Sequence, residues 1–405
     1  MKPIVRAGRM KPVHSDIRGP LFVEAMKRQK QGIDILKLNT GNPATFGFGL
    51  PDSIKNAFME HMQDGVGYCD FKGMPQARQA ICDYETSKGI KGITPDDVFI
   101  GNGVSEVVSF ALTPLLNDGD EVLVPSPSYS LWGNSVYLED GKPVFYTCDE
   151  QANWYPDIQD IRSKITDKTK AIVIINPNNP TGVLYPKELL LEIIQVARES
   201  GLLIFADEIY DRLVMDGKQH ISLASLTEDV PVITLNGLSK SHCLCGYRCG
   251  WMVISGPREL TEDYRQGIIQ LTSLRLCANT MAQIVIPAAL DDMDTPASMV
   301  RPGGRIYEQR EATVRELEKI NGLSFVKNDA AFYVFPKLDV KKFNITNDKQ
   351  FAHDLLDATN ILLVPGSGFD WKDPDHFRIV MLPQADILSD AIRRMGTFLD
   401  GYKQK

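Results

Sequence analysis

The sequence predicts an α/β fold: a large domain on a mostly parallel, seven-stranded sheet, joined to a smaller α+β domain. Between about residues 95 and 255, short β-branched runs alternate with amphipathic stretches of helical length, the pattern of a parallel sheet covered on both faces. Outside that region the alternation stops: residues 305–319 carry charge at helical spacing, and 331–335 read as a strand that Pro336 closes. In chain order, strands are expected at 98–100, 121–124, 144–146, 171–175, 202–206, 232–235 and 251–254. One helix is marked at both ends. It begins near Pro186, whose missing N–H is harmless in a first turn, carries Leu190, Ile193, Ile194 and Ala197 at helical spacing, and stops at Gly201. The expected division is 1–49 for an N-terminal arm and part of the small domain, 50–294 for the large domain, and 295–405 for the C-terminal small domain. No internal repeat or low-complexity segment interrupts it.

Composition narrows the function. With 405 residues, 43% hydrophobic and 24% charged, the chain has the profile of an ordinary globular enzyme. Its 44 Lys plus Arg against 52 Asp plus Glu give a net charge of -8, which leaves no electrostatic basis for gripping nucleic acid phosphates. No apolar run approaches the roughly 18 to 20 residues of a membrane helix, and the start is basic and polar, so a cytoplasmic location is expected. Seven cysteines, an odd number in a long chain, do not read as a disulfide framework. Cys243, Cys245 and Cys249 crowd together, but C-x-C-x3-C lacks a matching second pair; small buried hydrophobes are favoured over zinc, and no metal is expected.

In a doubly wound sheet, ligands sit beyond the carboxyl ends of the strands. After 98–100 comes Gly101-Asn102-Gly103-Val104-Ser105-Glu106, a glycine-rich turn opening a helix, where free N–H groups and the helix dipole favour a phosphate. Glycines also occur in such turns for steric reasons alone, and Glu106 breaks the dinucleotide pattern, which disfavours a nicotinamide dehydrogenase. After 171–175, the prolines and glycine of Asn176-Pro177-Asn178-Asn179-Pro180-Thr181-Gly182 lock a backbone that aims the Asn179 amide at a fixed point. After 202–206 comes Asp207, with Tyr210 three residues on; a helix N-cap is the plainer reading of Asp207. After 232–235 come Ser239 and Lys240, with Arg248 eight residues further. A lysine held in a constrained loop at a buried strand end can be desolvated enough to act as a nucleophile, although most lysines are solvated surface charges. Together these ends supply a phosphate turn, an amide, a carboxylate, a phenol, an amine and a guanidinium. Pyridoxal 5'-phosphate requires that set: an amine for a Schiff base, an anion against the ring nitrogen, donors near the ring oxygen, and cations or N–H groups around the phosphate.

These motifs, in this order, resemble the fold-type I pyridoxal-phosphate enzymes of the class I/II aminotransferase family over nearly the whole chain, and 50–294 would then be the cofactor-binding domain. Finer strings such as Asp16-Ile17-Arg18-Gly19-Pro20 and Gly65-Val66-Gly67-Tyr68-Cys69-Asp70 are similar to the bacterial alanine (glutamate-pyruvate) aminotransferases. The resemblance implies that Lys240 forms the covalent link to the cofactor and shuttles the substrate α-proton, and that Asp207 pairs with the ring nitrogen. Asn179 and Tyr210 would bond the ring oxygen, and Tyr129 would stack on the ring. It assigns the phosphate to Val104, Ser105 and Arg248, with Tyr68 reaching in from a second subunit. It gives the substrate carboxylate to Arg378, which could equally be a structural ion pair, makes Gly41 part of a closing strip, and offers Arg18 for a distal carboxylate. A hydroxyl common in the family is replaced by Gly237, with Ser239 as a candidate substitute that the sequence leaves open, and the family's P-x-G-A-F-Y appears as Asn328-Asp329-Ala330-Ala331-Phe332-Tyr333. The implied function is homodimeric transfer of the amino group of alanine to 2-oxoglutarate. Aspartate or aromatic transamination and C-S β-elimination are the nearest alternatives on this scaffold, and a regulatory protein that has lost the chemistry is the alternative of a different kind.

Overall fold

The computed structural model describes residues 2–405. All seven expected strands form, and a two-residue edge strand makes an eighth. They are β1 (Val98–Asn102), β2 (Glu121–Ser126), β3 (Lys142–Asp149), β4 (Tyr155–Pro156), β5 (Thr169–Ile175), β6 (Leu203–Asp207), β7 (Val232–Gly237) and β8 (Cys249–Ser255), in spatial order β1-β8-β7-β6-β5-β2-β3-β4. The run β7-β6-β5-β2-β3 is parallel, while β8 runs against both its neighbours and β4 against β3.

The alternation of side chains along β5 and β6 explains why both read as continuous apolar runs. Ile172, Ile174, Ile204 and Ala206 pack one face with Leu190, Ile193 and Ile194 of the helix Lys187–Ser200, which Gly201 ends in a left-handed conformation. Ala171, Val173, Ile175 and Phe205 face the other way, against Val107, Val108 and Ala111 of the helix Val104–Leu112. With both faces covered, residues 171–175 and 203–207 are all buried, and the polar groups of these two strands sit at their ends.

The remaining chain forms a second core around Leu38, Val334, Phe351, Ile361, Ile379, Leu388 and Met395. There Phe377–Val380 pairs antiparallel with Tyr333–Val334 on one side and Val364–Pro365 on the other, and Leu36–Lys37 pairs in parallel with Ile361–Leu362. The helix Arg305–Leu317 covers the charged stretch. The strand expected over 331–335 shrinks to Tyr333–Val334, because Ala331 takes a left-handed backbone with φ 58° and its N–H turns aside to Leu213 O at 2.8 Å. No single helix among the described residues is long and apolar enough to cross a membrane.

Candidate active site

Asp207 ends the central strand β6, opposite Ile175 and Leu235. Its neighbours hold it from both sides: Asn176 N donates to Asp207 O at 3.0 Å, and Glu208 N donates to Leu235 O at 2.9 Å. The carboxylate accepts Trp132 Nε1 at 3.1 Å and the Ile209 amide at 3.3 Å. It caps no helix, since the chain turns after 207 instead of coiling. Burial pushes this carboxyl up to about 6 against the pull of those two donors, and no basic side chain among the described residues lies within ion-pair distance of it.

The turn that follows is anchored by a charge cluster. Half-buried Lys88 reaches Glu208 at 2.6 Å, Glu85 at 2.8 Å and Asp211 at 3.2 Å, while Tyr84 and Asn236 donate to the Asp211 carboxylate. Burial alone would lower the Lys88 pKa, but three carboxylates hold it well above the ordinary lysine range. The ammonium therefore already engages Glu208 and Asp211, two of the three residues of the Glu208, Asp211 and His220 group that could otherwise suit a metal ion. Cys243, Cys245 and Cys249 form no such group among the described residues, and all seven cysteines are unpaired.

Lys240 lies in the one-turn helix Leu238–Ser241 directly after β7. Its amine donates to Gly41 O at 2.9 Å and sits 3.9 Å from Cys245 Sγ. Burial disfavours its charge, yet the Tyr333 and Tyr129 phenols and the Cys245 thiol more than offset this and raise its pKa. At Gly237 the hydroxyl of the family pattern has no room, because a Cβ there would lie 2.5 Å from Cys249 O. The Ser239 hydroxyl makes no hydrogen bond within the described residues; only its carbonyl is engaged, by Cys245 Sγ at 2.9 Å.

The glycine-rich turn and Arg248 meet as expected. Gly103 caps the helix Val104–Leu112 at φ 82°, and a Cβ on it would lie 2.3 Å from Arg248 Nη2. As first-turn amides, Val104 and Ser105 have no acceptor within their helix. Arg248 itself is exposed in a left-handed conformation, bonded to Cys245 O at 3.0 Å.

On the far side, Arg378 is buried. Its Nη1 donates to Asn179 Oδ1 at 2.9 Å and its Nη2 to Asn39 O, while Nε has no partner. It pairs with no carboxylate among the described residues, which removes the structural ion-pair reading. The guanidinium carbon lies 4.6 Å from the centres of both the Tyr333 and Phe369 rings. Tyr210 is buried, its hydroxyl 2.9 Å from that of Tyr333. Tyr129 is half-buried, near enough to act on both Lys240 and Arg378.

Two expected contributors stand apart. Tyr68 is 84% exposed, and Arg18 is exposed without hydrogen bond or ion pair. The Arg18 segment nonetheless borders the site, because Ile17 O accepts Asn39 Nδ2 at 2.8 Å. Sequence reasoning passed over two residues: Trp132, which holds Asp207, and Tyr333, which touches Gly41, Tyr210 and Arg378. A tryptophan three residues after Tyr129 and a tyrosine closing the altered P-x-G-A-F-Y string were the available signals.

Among the described residues, the site thus holds buried Asp207 without a cation and buried Arg378 and half-buried Lys240 without a carboxylate, with exposed Arg248 also unpaired. Buried uncompensated charge is costly, so such a site is completed by what it binds. Pyridoxal phosphate fits: its ring nitrogen would answer Asp207, its phosphate would answer Arg248 and the amides, and its aldehyde would meet Lys240. Comparison with known proteins agrees. Residues 33–392 match the family model for aminotransferase class I and II. The chain belongs to the class I and II aminotransferases, enzymes that depend on pyridoxal phosphate. Among individual proteins, it is 50% identical to the glutamate-pyruvate aminotransferase AlaA of Haemophilus influenzae, with all of both chains covered. It is 45% identical to an alanine aminotransferase of Mycobacterium tuberculosis over 100% of this chain and 94% of the other. A crystal structure of an Escherichia coli aminotransferase superposes with a TM-score of 0.98 at 47% identity, covering both chains fully.

Proposed function

We propose that this aminotransferase carries the amino group of L-alanine to 2-oxoglutarate, yielding pyruvate and L-glutamate through two half-reactions at one site. The observation that carries the reading is Arg378, a buried guanidinium whose Nε and charge find no partner or carboxylate among the described residues, linked to Lys240 through Gly41 and Tyr333. Its planar fork suits the α-carboxylate that every amino and 2-oxo acid brings. The identity to proteins named as alanine or glutamate-pyruvate aminotransferases supports the choice of substrates.

Bound pyridoxal phosphate supplies an aldehyde for an amine to engage and a ring that takes up electron density when a proton leaves the substrate α-carbon. The chain's own groups do the rest. Lys240 is the nucleophile and, once released, the base that moves the proton. Asp207 keeps the ring nitrogen charged, with Trp132 fixing its orientation. Asn179 holds Arg378 and, with Tyr210, serves the ring oxygen, while Tyr129 covers the ring face. Val104, Ser105 and Arg248 take the phosphate, with Ser239 close by. Gly41 lets the strip that accepts the Lys240 amine close over Tyr333. Arg18 would meet a distal carboxylate if its segment folds inward. The domains would divide at 1–49, 50–294 and 295–405.

The working form is a homodimer. Exposed Tyr68 and the nearby exposed Val66 and Leu274 support this, beside an open cleft of about 550 Å³ lined by 66–68 and 277–280. The seven unpaired thiols suit the cytoplasm. Holoenzyme mixed with single amino acids tests the substrate: L-alanine should discharge the visible absorbance and release pyruvate without ammonia, and Lys240→Ala should abolish both. Preference for aspartate or aromatic donors, or ammonia release from sulfur amino acids, would overturn the alanine reading, and an active species sedimenting as a monomer would overturn the dimer.

A further inference from the structure

We propose that Tyr333 is a positioning residue that orients the Tyr210 proton toward the cofactor's ring oxygen; this rests on the aminotransferase reading above. The Tyr333 hydroxyl is buried, and among the described residues its one hydrogen-bond partner is the Tyr210 hydroxyl at 2.9 Å. Its surroundings fix it closely. A Cβ at Gly41 would fall 2.2 Å from the Tyr333 hydroxyl, so the backbone strip whose carbonyl accepts Lys240 lies directly against it. The Arg378 guanidinium covers its ring face at 4.6 Å.

Two hydroxyls sharing one hydrogen bond have two arrangements. If Tyr210 donates to Tyr333, its only proton is used and it can offer the ring oxygen nothing. If Tyr333 donates, the Tyr210 proton is free for the ring oxygen and is polarised by the bond behind it. An anionic ring oxygen selects the second arrangement. Burial holds Tyr210 well above the ordinary phenol range, so it keeps its proton at working pH and can donate it. The chain Tyr333 to Tyr210 to ring oxygen then stabilises negative charge on that oxygen, and the nitrogen linking Lys240 to the cofactor holds its proton less tightly.

Tyr333→Phe keeps the ring under Arg378 and removes only the hydroxyl. The titratable groups facing it, Tyr210, Lys240 and Arg378, all remain. Titrating the visible absorbance of the lysine-bound cofactor against pH should show the transition moved upward by roughly 0.5 unit. Tyr210→Phe should move it further in the same direction. In the Tyr210→Phe background, Tyr333→Phe should add nothing, because its effect passes through the Tyr210 hydroxyl. An unmoved transition in Tyr333→Phe, or an equal shift in both backgrounds, would overturn the proposal. Parent protein that acquires no visible band with pyridoxal phosphate would overturn the cofactor reading beneath it, a different failure.

Discussion

Asp207 shows how a single buried side chain encodes a missing partner. Its two N–H donors orient it but do not neutralise it, and burial raises its pKa to about 6. Because the folded value exceeds the roughly 3.9 of an unfolded aspartate, the folded state binds the proton more tightly. Cofactor-free protein should therefore be favoured below about pH 4 and lose that contribution as pH rises through about 6. Asp207→Asn has no charge to bury. In urea unfolding at pH 8 the cofactor-free variant should exceed the parent by roughly 1–2 kcal/mol, with the advantage gone near pH 4. Saturating pyridoxal phosphate should reverse the order, since a ring-nitrogen cation pairs with the carboxylate and not with the amide. An advantage independent of pH would refute the assignment. The sequence could place Asp207 at a strand end, yet left it open between a cap and a cofactor contact. What decides is remote: Lys88 drawing Glu208 and Asp211 together makes the chain turn, and no local pattern announces that contact. Arg378 was ambiguous for the same reason, since an ion pair depends on what lies opposite.

Among the elements, the proposed phosphate cradle depends on how closely β8 approaches the start of the helix Val104–Leu112. A Cβ on Gly250 would lie 2.4 Å from the Val104 amide nitrogen, and one on Gly103 would displace Arg248. Gly103 also has a backbone, φ 82°, that side chains rarely adopt. Gly103→Ala should thus push Arg248 away and weaken cofactor affinity at least about tenfold, or about 1.4 kcal/mol, when measured by equilibrium dialysis. Unchanged affinity would mean that the phosphate lies elsewhere. The seven strands of the large sheet were legible because a strand buried on both faces must be apolar throughout, and its end must be polar where a ligand sits. The two-residue strand Tyr155–Pro156 and the shortened Tyr333–Val334 were not. Strands that short carry no periodicity, and Ala331 turns left-handed for a contact with Leu213 that lies far away in sequence.

Across the whole molecule, the site forms where distant parts of the chain close on the sheet. Gly41 and Asn39 come from the N-terminal stretch, Tyr333 and Arg378 from the C-terminal one, and the pairing of Leu36–Lys37 with Ile361–Leu362 brings the two together. The roles of Gly41 and Arg378 came from resemblance, because spacing within one strand cannot report what faces it across the fold. Tyr68 and Arg18 are both exposed: the first lines the open cleft with residues 277–280, and the second lies on a segment bordering the site. The proposed function requires one aromatic ring held between Asp207 and Lys240. Borohydride reduction of the holoenzyme, followed by proteolysis and mass spectrometry, tests this most directly. A pyridoxyl group on Lys240 alone is the predicted result; a label on another lysine, or none on a protein that still turns over, would contradict it.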